Sequence, residues 1–364
     1  MAVVEADGLQ ALVAETFVAA GCAEAEAGQV AASLVLANLS GHDSHGVARV
    51  PRYLEWIGER TIRPGNGVEV IRETPVISVL DGQYGFGQVV APQAIAIAIE
   101  KCRTNGLSAV ALKNAGHVGR VGEWAEMAAD AGFVSIHHVN APQSLLVAPF
   151  GAISARFSTA PYACGVPRED GDHLILDFAT SVVAEGKVLV ASQGGKALPD
   201  NALVSEDGTI GGDPRYLYGD YEPDGPRSYH NGKGAIRAMG DHKGSGLAFM
   251  VELLGGSLTG TGAPDPERPV WANGMFSVLV DPKVLNPDGF FPTDVSRYLS
   301  YYKTAQPIEP GGAVLAPGEP ERQTRVVRRR DGVPIPDGTW SAIRTAASSQ
   351  GLATDRIDAI VMAP

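Results

Sequence analysis

The spacing of apolar residues predicts two helices at the start of the chain. Residues 8–20 and 24–39 are rich in Ala, Leu and Val, and their apolar positions recur with a helical period. Gly21 interrupts this pattern, and a glycine at such a point favours a turn between antiparallel helices. We therefore expect a helical pair before any extended segment.

The middle of the chain alternates between extended and helical patterns. The strand-like segments are 68–80, followed by the turn signal Asp81-Gly82, then 107–113 and 133–139; the helix-like segments are 88–104 and 119–131. Strands that alternate with helices are typical of an α/β core. The hydrophobic pattern therefore predicts an α/β fold.

After residue 140 the apolar runs become shorter. They predict strands at 174–178 and 276–280, and helices at 245–256 and 339–350. Residues 200–240 are rich in turn-forming residues and have little periodicity. We interpret them as a long functional loop or an arm that contacts another subunit.

The composition excludes some classes of partner. The chain has 364 residues, of which 45% are hydrophobic, and a formal net charge of −12. This charge argues against a general binder of nucleic acid or of anionic membranes, because phosphate groups require a basic surface. The basic run Arg325, Arg328, Arg329 and Arg330 is interpreted as the solvated edge of a strand or loop.

The cysteines and apolar runs indicate a soluble, cytoplasmic protein. Cys22, Cys102 and Cys164 are far apart and form no CxxC pair, so we expect neither a disulfide framework nor a cysteine zinc site. The first residues lack the pattern of a secretory signal. The apolar runs at 89–99 and 131–139 are too short to span a bilayer.

Residues 41–53 concentrate the chemically active side chains of the chain. They hold two histidines, an aspartate, a serine, two arginines and a tyrosine, directly after a helix-like segment. If the segment turns helical after Ser44, then His45, Arg49 and Tyr53 lie along one stripe of the helix. Pro51 would kink such a helix. Either arrangement brings several polar groups together.

His117 lies where a predicted strand passes into a predicted helix, between Gly116 and Gly119. A histidine at such a rigid position can exchange a proton with a substrate oxygen, or it can simply cap the turn. The glycine spacing is G-x-x-G-x-x-G, and the following strand ends in His137, His138 and Asn140 instead of an acid. A Rossmann dinucleotide site is therefore not predicted.

Two further segments place a charged residue at an element boundary. These are Asp177-Phe-Ala-Thr-Ser181 and Asp241-His-Lys243-Gly244. Such positions can bind phosphate or carboxylate, although a helix cap with a solvated lysine is the simpler interpretation. His42, Asp43 and His45 with the later histidines could in principle form a metal site, but we expect none because the chain lacks a metal-binding spacing such as HExxH.

These segments, in this order, resemble the malate/L-lactate dehydrogenase family that lacks a Rossmann fold. The matching motifs are Asp43-Ser-His-Gly-Val-Ala-Arg49, Gly116-His117-Val-Gly-Arg, Val147-Ala-Pro-Phe-Gly151, Asp177-Phe-Ala-Thr-Ser181, His242-Lys-Gly244 and Pro317-Gly-Glu319. The resemblance covers about residues 8 to 350, and residues 37–46 and 132–137 look closest to the hydroxycarboxylate dehydrogenase B branch. It implies a mixed-sheet NAD(P)-binding core, 76–309, and a helical domain formed by 1–75 with 310–364.

The resemblance implies a homodimer that uses NAD or NADP to transfer a hydride to or from a 2-oxocarboxylate or 2-hydroxycarboxylate. His117 would be the acid/base, Arg49 would hold the substrate carboxylate, and His45 would contact nicotinamide or substrate. Ser44 and Tyr53 would shape the substrate pocket. The remaining implied cofactor contacts are Gly119, Arg120, Val121, Asp177, Phe178, Ala179, Thr180, Ser181, Lys243, Asn273, Gly318, Glu319 and Pro320.

One departure from the family pattern concerns the substrate. The family usually has Gly-Thr-Asn-Pro where this chain has Ser158-Thr159-Ala160-Pro161. The missing amide leaves the substrate preference open. A cyclic imine acid reductase is an alternative within redox chemistry, and a metal-dependent hydrolase that uses residues 42–45 with His137 and His138 is a remote one.

Overall fold

A computed structural model describes residues 1–192, 196–220, 231–267 and 270–360. The helices are α1 Ala6–Ala19, α2 Glu24–Leu39, α3 Val50–Gly58, α4 Gly87–Asn105, α5 Val121–Asp130, α6 Glu185–Ser192, α7 Arg215–Tyr218, α8 Asp241–Glu252, α9 Pro282–Leu285, α10 Phe290–Lys303, α11 Glu319–Asp331, α12 Asp337–Ser349 and α13 Thr354–Asp358. The strands are β1 Ala2–Val4, β2 Glu69–Glu73, β3 Ile77–Asp81, β4 Leu107–Ala115, β5 Val134–Asn140, β6 Val147–Ala148, β7 Pro161–Val166, β8 Leu174–Ala179, β9 Leu203–Val204, β10 Ile210–Gly211, β11 Ala235–Arg237, β12 Asn273–Val280 and β13 Val333–Ile335. Among the helices described, none is long and apolar enough to cross a bilayer.

A seven-stranded sheet forms the centre of the molecule. Its order is β2-β3-β4-β12-β5-β7-β8. Only the β3–β4 pair is parallel, with α4 as the crossover between the two strands, and every other pair in the sheet is antiparallel. Helices α4 and α5 pack against this sheet. The predicted α/β class with a mixed, non-Rossmann sheet is therefore confirmed.

A smaller sheet uses residues that the sequence pattern left unassigned. Strands β10, β9, β11 and β6 form it in that order. Its apolar side chains, including Leu203 and Ile236, belong to a separate buried cluster with Leu217 and Val251. The interpretation of 200–240 as one long loop is thus wrong for the described part, because short strands carry too few residues to show a period. The alternative of an arm that contacts another subunit stays a prediction. Residues 221–230 of that segment lie outside the described residues.

The two ends of the chain meet. Strand β1 pairs with β13, with Val4 opposite Val333. One buried apolar cluster joins side chains of α1, α2 and α3 to Trp340 and Ile343 of α12 and to Ile357 of α13. The division into an end-formed helical domain (1–75 with 310–364) and a central domain (76–309) stays a proposal.

The basic run near the C-terminus is helical. Arg325, Arg328, Arg329 and Arg330 lie on α11, whose first turn carries Glu319 and Glu321. The guanidinium of Arg325 binds Glu126 of α5, and that of Arg328 binds Asp43. The interpretation as a strand or loop edge was therefore wrong, while Arg329 and Arg330 are solvent-exposed as expected. Arg325 and Arg328, three positions apart on one face of the helix, reach carboxylates of distant segments.

Candidate active site

The loop that follows α2 is shaped by one asparagine. The side chain of Asn38 accepts a hydrogen bond from the Val47 backbone N–H at 2.7 Å and donates one to Asp43 Oδ1 at 2.7 Å. A Cβ at Gly46 would lie 2.0 Å from Asn38 Oδ1, so only glycine leaves room for this amide. The loop consists of two short 3-10 turns, Asp43–His45 and Val47–Arg49.

The continuous stripe of His45, Arg49 and Tyr53 is not formed. Helix α3 begins only at Val50, and Pro51 occupies its first turn, where proline needs no backbone donor. Pro51 therefore starts the helix instead of kinking it. His45 and Arg49 are positioned by the preceding 3-10 turns, yet they still lie beside Tyr53, as the ring contacts and electrostatic effects below indicate.

His117 is held by hydrogen bonding to Tyr53. The Tyr53 hydroxyl lies 2.6 Å from His117 Nδ1, and Gln88 Nε2 donates to the same hydroxyl at 2.9 Å. Tyr53 is fully buried and His117 is 9% exposed. Helix α4 packs closely against His117: a Cβ at Gly87 would lie only 2.1 Å from the His117 carbonyl oxygen. The proposed acid/base residue is thus rigidly placed.

A second imidazole stacks on the first. The rings of His45 and His117 are 5.3 Å apart and nearly parallel, at 8°. Trp271 lies 6.0 Å from His117 and stacks on Trp56 at 4.6 Å, so aromatic rings line the same region. His45 Nδ1 is buried without a hydrogen-bond partner. An orphaned nitrogen at this point is available to a ligand.

Burial and nearby positive charge keep both imidazoles neutral. Burial, followed by the Arg49 charge, lowers the pKa of His45 to about 3. Burial and the positive charge of Arg49 also lower the pKa of His117 well below its ordinary value. Burial raises the pKa of the Tyr53 hydroxyl well above its ordinary value, despite the opposing effect of the Arg49 charge. A neutral imidazole is a base, so the free site is suited to taking a proton.

Arg49 is held by the loop itself. Its Nε donates to the Ser44 carbonyl oxygen at 2.6 Å. Ser44 in turn lies against α6, since a Cβ at Gly186 would be 3.0 Å from Ser44 Cβ. The loop thereby places a guanidinium beside both histidines, consistent with its electrostatic effect on each ring.

The segment between β4 and α5 carries Gly119 and Arg120, and Val121 is the first residue of α5. Gly119 has a φ of +70°, and a Cβ there would lie 3.1 Å from Gln88 Nε2. Asn273 fixes the segment by accepting from Val118 N at 3.0 Å and donating to the Asn140 carbonyl at 2.7 Å. The buried Asn273 amide therefore shapes the segment through backbone contacts.

Arg120 lies at the centre of a buried charged network. Its Nη2 binds Glu126 Oε2 at 2.6 Å, while Nε and Nη1 are buried without hydrogen-bond partners. Asp177 Oδ2 accepts from the Gly122 backbone N–H at 2.8 Å, and burial raises the pKa of this carboxyl. Asp177 therefore stabilises the first turn of α5 rather than a helix of its own segment. His42 pairs with Glu321 at 3.3 Å on the same side.

The rest of the Asp177–Ser181 motif joins the two sheets. Phe178 and Ala179 end β8, and the Phe178 ring is 5.6 Å from Tyr162. Thr180 Oγ1 donates to the Ala160 carbonyl at 2.9 Å, and Ser181 Oγ donates to the Val183 carbonyl at 2.9 Å. The hydroxyls of this motif are thus used to hold the backbone.

Other predicted cofactor residues have local partners. Lys243 is exposed in the first turn of α8. Gly318 precedes α11 with a φ of +88°. The Glu319 carboxylate accepts from Ala316 N at 2.9 Å and binds Lys303, and Pro320 continues the first turn of α11. The structure brings Ser44, His45, Arg49, Tyr53, His117 and the 119–121 segment together, and these other residues are held by separate elements.

The histidines of β5 are used structurally. His137 Nδ1 lies 2.8 Å from Ser277 Oγ and its Nε2 lies 3.0 Å from Ser135 Oγ. His138 packs between the rings of Tyr162 and Phe276. In the described residues no group of three His, Cys, Asp or Glu side chains is placed to hold a metal ion.

Ala160 occupies the position of the usual family asparagine. It is fully buried and has a φ of +37°, in the left-handed region that asparagine tolerates better than alanine. Its N–H donates to Ser158 Oγ at 3.0 Å. The departure therefore alters a buried, strained backbone position at the start of β7.

Several residues of the site were missed from the sequence. They are Asn38, Gln88, Trp56, Trp271 and Arg328. Each is ordinary in its local context, and its role appears only when elements distant in sequence pack together. Gly46 beside His45 was the one available signal, since a glycine after a short helical turn indicates a close approach of another group.

Comparisons with known proteins identify the family of this chain. The family model described as malate/L-lactate dehydrogenase matches residues 4–344. Hydroxycarboxylate dehydrogenase B of Escherichia coli K12 is 34% identical over 98% of this chain and 96% of its own. The sulfolactate dehydrogenase structure from Methanocaldococcus jannaschii is 28% identical, with a TM-score of 0.82 over 97% of this chain and 98% of that one.

A solved Δ1-piperideine-2-carboxylate reductase from Pseudomonas syringae is also similar, at 27% identity. Its TM-score is 0.77, and the match covers 95% of this chain and all of that one. The family model covers almost the whole chain, and the curated relative exceeds 30% identity over nearly its full length. The chain therefore belongs to the malate/L-lactate dehydrogenase family.

Proposed function

We propose that this chain is an NAD(P)-dependent 2-hydroxycarboxylate dehydrogenase, which in the reverse direction is a 2-oxocarboxylate reductase. The observation that carries the proposal is the cluster of His117, His45 and Arg49 around the buried Tyr53 hydroxyl. This cluster combines a fixed neutral base, a second imidazole with an orphaned nitrogen and a guanidinium. A 2-hydroxycarboxylate has matching groups: a hydroxyl proton for the base, a carboxylate for the guanidinium, and a hydrogen on carbon that can leave as hydride.

The residues present fit a nicotinamide dinucleotide. His45 Nδ1 is buried and unpartnered, and Gly119 keeps the segment before α5 free of a side chain. The exposed Lys243 adds a cation at the N-terminus of α8, where the helix dipole also favours anionic groups. The bound dinucleotide supplies or takes the hydride. Asp177, Phe178, Ala179, Thr180, Ser181, Asn273 and Gly318–Pro320 remain proposed contacts.

His117 moves the proton in this proposal. In the oxidative direction its neutral ring takes the hydroxyl proton of the substrate; in the reductive direction the protonated ring returns it to the oxygen as the carbon is reduced. Tyr53 holds the ring so that the nitrogen not bonded to Tyr53 faces the substrate. Arg49 binds the carboxylate, because a planar guanidinium donates to both oxygens at once.

The test is a spectrophotometric screen of NADH and NADPH oxidation with small 2-oxoacids, aryl 2-oxoacids and cyclic imine acids. We expect activity on a 2-oxoacid, and we expect His117→Ala to lower kcat/KM by roughly 100-fold or more while dinucleotide binding is retained. His45→Ala should weaken dinucleotide binding more than it lowers the rate at saturation. If His45→Ala alone removes the proton-dependent step, the assignment of the proton to His117 is wrong.

A cyclic imine acid is the second candidate substrate, favoured by the similarity to the Δ1-piperideine-2-carboxylate reductase structure. An imine nitrogen is protonated more easily than a carbonyl oxygen, so this reaction depends less on an acid residue. Imine reduction that survives His117→Ala, together with no 2-oxoacid activity in the wild type, would select this candidate. A homodimer accompanies either function in our proposal, and light scattering after gel filtration measures it.

A further inference from the structure

Gln88 is buried next to the site, and the family motifs do not include it. It lies in the first turn of α4 and is 1% exposed. Its backbone carbonyl accepts from Gln29 Nε2 at 2.9 Å, so α2 anchors it. Its side-chain nitrogen is 2.9 Å from the Tyr53 hydroxyl, while its Oε1 is buried without a partner. A fully buried amide whose oxygen has no hydrogen-bond partner requires an explanation.

The direction of hydrogen bonding decides what His117 can do. When Gln88 donates to the Tyr53 oxygen, the hydroxyl hydrogen points at His117 Nδ1, and the neutral ring carries its proton on Nε2. In that state the nitrogen facing the substrate cannot accept a proton. Both useful states, the base and the imidazolium acid, need a hydrogen on Nδ1, and Tyr53 must then accept it.

Tyr53 can accept from Nδ1 only if its own hydrogen has another acceptor. The second contact of the hydroxyl is the Gln88 amide, whose oxygen and nitrogen differ little in size. Turning the amide by half a turn places Oε1 where Nε2 stands, and the hydroxyl then donates to Gln88. The glycine at 119 keeps the space beside the amide open, because a Cβ there would crowd Gln88 Nε2 at 3.1 Å.

We propose that Gln88 is a positioning residue that sets the protonation state of His117 through the Tyr53 hydroxyl. The two orientations of its amide correspond to two directions of the same Gln88–Tyr53–His117 chain. One direction blocks Nε2 with a hydrogen, and the other leaves it ready to exchange a proton. The neighbouring groups that also act on His117 are Arg49 and His45, and both are retained in every variant below.

Two substitutions of Gln88 should each enforce one of the two directions of hydrogen bonding. Gln88→Leu keeps the approximate volume but gives the Tyr53 hydrogen no acceptor except His117 Nδ1, so the Nε2–H tautomer is enforced and the pKa of His117 falls. Gln88→Glu offers acceptor oxygens, so the Nδ1–H form is favoured and the pKa rises. A residue that only packs α4 against α3 would give no such opposite shifts.

The experiment is ¹⁵N NMR of the histidine ring nitrogens in the free protein, together with the pH profile of kcat/KM. We expect opposite shifts of the His117 titration in the two variants, and a loss of roughly 100-fold in kcat/KM for Gln88→Leu at neutral pH. In a Tyr53→Phe background the same substitutions should shift nothing further. The same His117 tautomer in both variants, or shifts of the His117 titration that persist without the Tyr53 hydroxyl, would overturn the proposal.

The kinetic part of this inference rests on the proposed function, whereas the NMR part does not. If the tautomers respond to Gln88 and no hydroxyacid or oxoacid is turned over, the proposed function fails and the positioning role stands. If the enzyme is active and the tautomers do not respond, the positioning role fails alone. Thermal melting of each variant checks that the fold is retained.

Discussion

At the scale of single residues, burial decides the charge of several groups. Glu252 is 2% exposed; its Oε1 accepts from the Ser158 N–H at 2.7 Å, and its Oε2 is unpartnered. Burial, partly offset by this hydrogen bond, raises its pKa from 4.5 to about 6. The ionised carboxylate therefore destabilises the folded state at alkaline pH.

We expect Glu252→Gln to stabilise the protein at pH 8 and not at pH 4. The folded-state pKa is raised, so the wild-type residue favours folding below pH 4.5 and loses this contribution as the pH rises through 6. The difference corresponds to about 2 kcal/mol at pH 8. Urea unfolding at both pH values measures it, with the exposed Glu309→Gln as the control. A variant equally destabilised at both values contradicts the argument.

At the scale of elements, α11 and α2 jointly hold the loop that carries His45 and Arg49. Arg328 donates to both oxygens of Asp43, at 2.5 and 3.0 Å, and to the Asn38 carbonyl at 2.5 Å. This fork–fork pair joins α11 to a loop that is 285 residues earlier in the chain. The loop geometry therefore depends on an element that does not touch the proposed substrate.

We expect Arg328→Gln to raise KM for the oxoacid by roughly 10-fold and to speed amide hydrogen exchange across residues 42–49. A glutamine cannot span both Asp43 oxygens and the Asn38 carbonyl, so the loop samples open states more often. Arg329→Gln, one position along on the exposed side of α11, is the matched control. Unchanged exchange in 42–49 would show that α2 alone holds the loop.

Sequence patterns predicted the longer helices correctly but did not predict the contacts between elements that are distant in the chain. The helices at 8–20, 24–39 and 88–104 were found because a helix leaves its period in local sequence. Strands of two residues, such as β9, leave no period. The segment with His45 and Arg49 was singled out by its mixture of side chains, but the partner Gln88 lies 35 residues beyond Tyr53 and carries no local signal.

At the scale of the whole molecule, buried histidines govern the response to acid. Burial lowers the pKa of His137 and of His45 to about 3 and also lowers that of His117. The unfolded chain binds protons at these residues below about pH 6.5, and the folded chain does not. Stability present above pH 6.5 is therefore lost as the pH falls toward 3.

We expect the free energy of unfolding to decrease between pH 6.5 and 5. Each fully neutral histidine contributes a slope of up to about 1.4 kcal/mol per pH unit. Glu252 opposes them between about pH 6 and 4.5, and the buried carboxyls of Glu123 and Asp177, whose pKa burial also raises, act in the same direction as Glu252. Urea titrations at half-unit intervals measure the slope. His137→Asn should reduce this slope by up to about 1.4 kcal/mol per pH unit, the contribution of one proton. A flat wild-type profile over this range would contradict the assignment of three neutral imidazoles.

The joining of the two chain ends has a consequence for biosynthesis. The loop with His45 and Arg49 is synthesised long before its partner Arg328, which lies 285 residues after Asp43. At about 5–20 residues per second, the loop waits roughly 15–60 s for its partner. A chain that stops before Arg328 lacks this ion pair with Asp43, so we expect catalytic competence to appear only after Arg328 has left the ribosome.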